Sequence, residues 1–320
     1  MIIQLLVLTI GFVLLLWAAD RLVIGASGLA YHYNVPPLII GLTLVAFSTS
    51  APEIMVAISA SINGMTDMAV GNAIGSNIAN IGLVLGLTGL LRPVRIQSTL
   101  VRREYPILFI IMLFTYTLII DGYLGAIDGA LLVLLNIAVV FYLIYSSRKE
   151  TYEHTLTTEF QKRKVQTKPL WFYSLMLIAG IIFLPIGSHF VVQSSARIAQ
   201  LLEINELVIG LTVIAIGTSL PELVTSLVAA IKGADDIAIG NILGSNMFNL
   251  MAVMAFPGII HPAPLNHHIL WRDVPIMFII TLLLLWMNLT QKQKITRWQG
   301  GLLVVIYICY IIGLILDATA

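Results

Sequence analysis

One segment of this chain occurs twice. Residues 41–86 open GLTLVAFSTSAPE and continue to GNAIGSNIANIG, and residues 210–255 open GLTVIAIGTSLPE and continue to GNILGSNMFNLM. A shift of 169 positions aligns the two without a gap, with about twenty identities in 46 positions; ordinary composition would give about five. The informative identities are polar or backbone-special: Thr49/Thr218, Ser50/Ser219, Pro52/Pro221, Glu53/Glu222, Asn72/Asn241, Gly75/Gly244, Ser76/Ser245, Asn77/Asn246 and Asn80/Asn249. A polar constellation duplicated inside apolar surroundings is the pattern of an ion site within a membrane.

Composition supports that class. Hydrophobic residues make up 59% of the chain and charged residues 10%, with a mean hydropathy of +0.97, values that point to an integral membrane protein. The net charge is +1 and no basic stripe with interleaved aromatics is present, so nucleic acid is not an expected partner. The single cysteine, Cys309, excludes an intrachain disulfide and a cysteine metal site; it reads as a buried small apolar residue. The first 19 residues lack a basic n-region and an A-x-A pattern, so they read as a first span rather than a cleaved signal.

A bilayer crossing needs about 20 apolar residues. Ten stretches qualify: 2–31, 38–62, 67–91, 104–120, 123–146, 170–200, 207–232, 236–260, 273–289 and 297–316. The expected fold class is an all-α integral membrane protein of ten transmembrane helices. The polar linker 147–169 divides it into a first repeat, 1–146, and a second, 170–320, of five spans each. The first and sixth spans are long and should tilt or bend. With the linker in the cytoplasm, Arg92, Arg95, Arg102, Arg103, Lys232, Lys292, Lys294 and Arg297 share its side, and only Arg197 and Arg272 fall clearly outside. The bias of basic residues therefore puts both termini outside. Because five is odd, the two repeats cross the membrane in opposite directions, the inverted-repeat plan of secondary transporters with a site near the midplane.

The repeated residues suggest what that site binds. Proline at 52 and 221 removes an N–H and collides with the carbonyl four residues back, that of Ser48 or Gly217. Both helices should break there, leaving main-chain oxygens around Ala46–Ser48 and Ala215–Gly217 free to line a cavity. Thr49 with Glu53, Thr218 with Glu222, Ser76 with Asn80 and Ser245 with Asn249 are spaced i, i+4, so each pair shares a helix face. The pooled groups are two carboxylates, hydroxyls, amide oxygens and carbonyls. Such hard oxygen donors suit calcium, and without thiolate or imidazole in either motif zinc and copper are unsuitable. Two facing carboxylates in a bilayer are expensive when empty. One divalent ion, two monovalent ions or two protons would neutralise them, and a site with that property favours exchange over uncoupled flow.

G-[ST]-S-x-P-E followed by GNxxGSNxxN, present in both halves, resembles the α-repeats of the sodium/calcium exchanger branch of the calcium:cation antiporter superfamily. Among its members the chain is most similar to prokaryotic calcium/sodium antiporter-like inner-membrane proteins. The GNxxE-type motif of proton/calcium exchangers is not present. The resemblance implies an antiporter exchanging Ca2+ for Na+ by alternating access, not an enzyme, with the long first and sixth spans sliding past a core of four ligand helices. It implies a calcium site of Glu53, Glu222 and the backbone oxygens of Thr49 and Thr218. It implies sodium ligands from the Ala46 and Ala215 carbonyls, Ser50, Ser219, Ser76 and Ser245, with Asn80 and Asn249 between the glutamates. No cofactor is implied, and the protein is expected to work as a monomer in a prokaryotic plasma membrane. Three positions depart from the pattern: Ser48 where glycine is usual, Ala51 where a bulky residue is common, and Asn249 where potassium-dependent relatives carry aspartate.

Other readings of the same residues are a proton-coupled antiporter of this fold, which the motif type disfavours, and a cation channel, which paired broken helices fit poorly. Enzyme motifs such as HExxH are not found. Asp20-Arg21 is placed at the inner end of the first span, with His189 at the repeat-equivalent position of Asp20. Asp128 reads as interfacial and Asp235-Asp236 as a helix start. His261, His267 and His268 read as loop histidines, with a zinc site among them as the sharper alternative. Trp17, Trp171, Trp271, Trp286 and Trp298 read as an aromatic belt at span ends.

Overall fold

The structure, a computed structural model, describes residues 1–96, 98–150, 168–202, 215–290 and 294–319. Helix dominates. In chain order the helices are α1 (Ile2–His32), α2 (Pro37–Thr49), α3 (Ala51–Ile62), α4 (Thr66–Leu91), α5 (Ser98–Ile119), α6 (Ala126–Glu150), α7 (Leu170–Leu201), α8 (Ala215–Thr218), α9 (Leu220–Ile231), α10 (Asp235–Ile260), α11 (Ile269–Leu289) and α12 (Arg297–Thr319). Seven of those described (α1, α4, α6, α7, α10, α11 and α12) are long and apolar enough to cross a membrane, and α2 with α3 forms a further span bent by 43°. Part of the seventh expected span lies outside the described residues, as do Glu203, Glu206 and most of the central linker.

Helices α1 and α7, of 31 and 32 residues, run antiparallel in close contact. Their register is set by glycines that let one backbone reach the other. A Cβ on Gly25 would lie 2.4 Å from the Leu177 nitrogen, one on Gly180 2.6 Å from Leu22 Cβ, and one on Gly187 2.8 Å from the Leu15 nitrogen. In that register His189 faces the neighbourhood of residue 13, about 10 Å along the helix from Asp20, so repeat equivalence does not make the two neighbours. The same device joins α2 to α10: a Cβ on Gly244 would lie 2.4 Å from the Leu42 carbonyl oxygen, and one on Gly240 2.6 Å from that of Leu38.

Local structure follows the sequence shift. The helices break at Ser50 (φ −79, ψ 2) and Ser219 (φ −87, ψ 5). α3 and α9 both end at a glycine with φ of 73°, Gly64 and Gly233, the left-handed position that lets the chain close a helix without Cβ strain. Wider π-helical turns run from Asn80 to Leu85 and from Asn249 to Val253.

Two short ribbons accompany the helices: Val94–Arg95 (β1) pairs antiparallel with Lys294–Ile295 (β4), and Tyr123–Leu124 (β2) with Ala263–Pro264 (β3). Each joins connections far apart in the chain and satisfies backbone groups that sequence periodicity cannot reveal. Cys309 is exposed, on a helix whose neighbours Ile308 and Ile312 are exposed too; in a bilayer an apolar residue can face lipid as readily as a core. Trp17 lies mid-helix, edge-on to Phe183 at 5.6 Å and under Arg21 at 5.6 Å, rather than at a span end. Asp20 also lies within α1 and pairs with Lys232 Nζ of the α9 terminus at 2.5 Å.

Candidate ion-binding site

The segment S-x-P-E builds the centre of each half. Ser50 and Ser219 occupy the residue before α3 and α9, proline follows within the first turn, and Glu53 and Glu222 stand in that same turn, where the helix end favours negative charge. Serine in that position normally caps a backbone N–H, and glutamate three residues on normally reaches back to the serine N–H. Neither happens here. The caps carry no side-chain hydrogen bond, and the Ser50 N–H goes to the Ala46 carbonyl at 2.9 Å. Four polar side chains are thus withheld from helix capping and directed elsewhere.

They meet between the repeats. Ser50 Oγ and Ser245 Oγ both donate toward Glu222 Oε1 at 3.4 Å. Thr49 Oγ1 lies 2.9 Å from Asn241 Oδ1, 3.2 Å from Ser245 Oγ and 3.2 Å from the Ala46 carbonyl. Glu53 and Glu222 are each 0% exposed, and Ser50, three residues before Glu53, donates toward Glu222. Both Glu53 oxygens, Glu222 Oε2, Ser219 Oγ and both polar atoms of the Asn249 amide are buried without a hydrogen-bond partner among the described residues. Buried carboxylates are normally paired or bound to a metal, so this cluster of oxygens has the chemistry of a cation site.

Asn80 donates through Nδ2 to Asn246 Oδ1 at 3.0 Å and leaves its own Oδ1 buried without a partner among the described residues. Ser76 and Thr218 are buried as well. Ala215 opens α8. Of the carbonyls expected to be free, that of Gly217, four residues before Pro221, accepts the Ser188 hydroxyl of α7 at 3.1 Å, and that of Ala46 accepts the Ser50 N–H at 2.9 Å with Thr49 Oγ1 3.2 Å away.

Three asparagines belong to the site though they lie outside the expected ligand set. Asn241 links Thr49 to Ser226 Oγ, to which it donates at 2.9 Å; Asn77 donates to the Asn246 carbonyl at 3.2 Å, and Asn246 receives Asn80. The signal for them was present, since Asn72/Asn241 and Asn77/Asn246 are repeat identities. The loop histidines do not gather: among the described residues no three His, Cys, Asp or Glu side chains could hold a metal together. His261 lies against Thr66, which donates to its backbone carbonyl at 2.8 Å, and His267 stacks on Trp271. Asp128 accepts the Gly125 N–H at 2.8 Å, and Asp235 pairs with Arg92 at 2.7 Å.

Comparison with known proteins identifies the family. The family described as sodium/calcium exchanger protein matches residues 3–145 and 172–316. The putative antiporter CaxA of Alkalimonas amylolytica is 42% identical over 94% of this chain and 95% of its own length. The sodium/calcium exchanger MaX1 of Methanosarcina acetivorans is 33% identical, with 97% of each chain covered. Among solved structures, one of the sodium-calcium exchanger NCX_Mj superposes with a TM-score of 0.83 at 32% identity, covering 97% of this chain and 98% of that one. The chain belongs to the sodium/calcium exchanger family.

Proposed function

We propose that this protein is a secondary antiporter that exchanges Ca2+ for Na+ across a membrane, with Glu53 and Glu222 as its paired carboxylate ligands. The observation that carries the reading is the pair itself: two fully buried carboxylates, linked through Ser50, which precedes Glu53 by three residues and donates toward Glu222, with three of their four oxygens lacking a partner among the described residues. A divalent cation neutralises both, and two monovalent cations do the same, so the loaded site crosses the bilayer without net burial of charge while the empty one does not. Thr49, Thr218, Ser50, Ser219, Ser76, Ser245, Asn80, Asn249 and the carbonyls of Ala46 and Ala215 complete the oxygen set; calcium, which takes six to eight oxygens, draws on part of it and sodium on the rest.

In this reading ten spans form two inverted repeats, 1–146 and 170–320, joined by the cytoplasmic linker 147–169, with both termini outside. The repeated break at Ser50 and Ser219, the glycine turns at 64 and 233 and the π-turns at Asn80 and Asn249 support the duplication. The basic residues on the linker side support the orientation. Alternating access then consists of α1 and α7 shifting together against the four helices that carry the ligands. Replacement of either carboxylate by its amide, Glu53→Gln or Glu222→Gln, should abolish sodium-driven calcium uptake in proteoliposomes while the purified protein stays folded. Wild-type uptake in either variant would overturn the assignment.

A further inference from the structure

Asn241 is not among the ion ligands proposed above, yet it binds three of the groups that surround them. Its Nδ2 donates to Ser226 Oγ at 2.9 Å and reaches the Glu222 backbone carbonyl at 3.4 Å, and its Oδ1 lies 2.9 Å from Thr49 Oγ1. Ser226 in turn donates to the Ala238 carbonyl at 3.4 Å, so its hydroxyl serves as acceptor and donor at once. Thr49 has a single hydroxyl proton and three places to send it: Asn241 Oδ1 at 2.9 Å, Ser245 Oγ at 3.2 Å or the Ala46 carbonyl at 3.2 Å. Since the Ser50 N–H already occupies one lone pair of that carbonyl, the destination of this proton decides whether the other lone pair is open to a cation.

The serine anchor is not duplicated. A shift of 169 carries Asn241 onto Asn72 but Ser226 onto Ala57, which has no hydroxyl, and Asn72 Nδ2 is buried without a partner among the described residues. The glutamates show the same inequality, for Glu222 Oε1 receives Ser50 and Ser245 while neither Glu53 oxygen receives a donor among the described residues. We propose that Ser226 and Asn241 are a positioning pair. Ser226 fixes the Asn241 amide, which holds the Thr49 proton away from Ala46 and so keeps that carbonyl available to a monovalent cation. The Glu222 side of the site is thereby arranged in advance, and the Glu53 side adapts to the ion. This deepens the exchange reading and rests on it.

The test compares the full-length protein with Ser226→Ala, Ser226→Thr and Ala57→Ser, using calorimetric sodium binding and the calcium-exchange rate in proteoliposomes. Loss of one buried hydrogen bond corresponds to an equilibrium shift of about two- to tenfold. Ser226→Ala should weaken sodium binding by about that factor with the maximal exchange rate little changed. Ser226→Thr, which keeps the hydroxyl, should bind sodium as the wild type does. Ala57→Ser, which offers Asn72 the anchor it lacks, should tighten sodium binding. Unchanged sodium affinity in Ser226→Ala would overturn the proposal, as would loss of thermal stability and maximal rate with Thr no better than Ala. A wild-type protein that bound sodium but moved no calcium would instead sink the exchange reading.

Discussion

The bare carboxylate of Glu53 makes a prediction with two opposite signs. Glu53 is fully buried and neither oxygen has a hydrogen-bond partner among the described residues. A carboxylate deep in a bilayer costs about 2.5–3.5 kcal/mol, and an unpaired buried amide costs about 1–3 kcal/mol. Glu53→Gln should therefore stabilise the ion-free protein by about 1–2 kcal/mol. At roughly 2–4 °C of melting temperature per kcal/mol, the rise is about 2–8 °C. Calcium acts the other way round. At one hundred times its Kd a ligand adds about 2.7 kcal/mol to the protein that binds it, so the wild type should gain about 5–10 °C and the variant nothing. The assay is thermal unfolding in detergent at pH 8, in choline buffer with chelator and then with calcium. The reasoning fails if the variant melts below the wild type without ions, or if calcium raises both equally.

Other consequences follow from packing and pairing. Gly244→Ala puts a Cβ 2.4 Å from the Leu42 carbonyl oxygen, a clash that backbone must absorb, and should cost about 1–3 kcal/mol; Gly313→Ala, with nothing within 4 Å of the new Cβ, should melt like the wild type. Ser188→Ala leaves the Gly217 carbonyl without the hydroxyl it accepts and should lower stability by about 0.5–1.5 kcal/mol, read by the same melting assay. The Lys232–Asp20 pair, with each side chain about one-third exposed (34% and 32%), should matter little: Lys232→Met is expected to cost no more than about 1 kcal/mol, and a larger loss would mean that the pair is far less screened than its exposure indicates.

Much of the site could be read before any coordinates, because duplication preserved what chemistry requires. Proline at 52 and 221 marked the breaks, and the glutamates beside them marked the charge. What the sequence hid was of two kinds. Partner choice was invisible: nothing in Ser188 says that its hydroxyl would meet the Gly217 carbonyl, and nothing in Ala46 says that its carbonyl would stay bonded to Ser50. The direction an apolar residue faces was invisible too, since lipid and protein core select the same residue types, as the exposed Cys309 shows. A further repeated signal lay outside the aligned 46 residues. Arg103–Glu104 and Arg272–Asp273, again 169 positions apart, form neighbouring ion pairs at 2.6 and 2.8 Å. Extending the alignment into the helices that follow would have found them.

The central claim is that sodium and calcium compete for one pair of buried carboxylates. Calcium-45 uptake into proteoliposomes of the purified protein tests it, with an outward sodium gradient set against an outward proton gradient of equal size. The account predicts uptake with the sodium gradient alone. Uptake driven by protons alone, or by neither gradient, would contradict it.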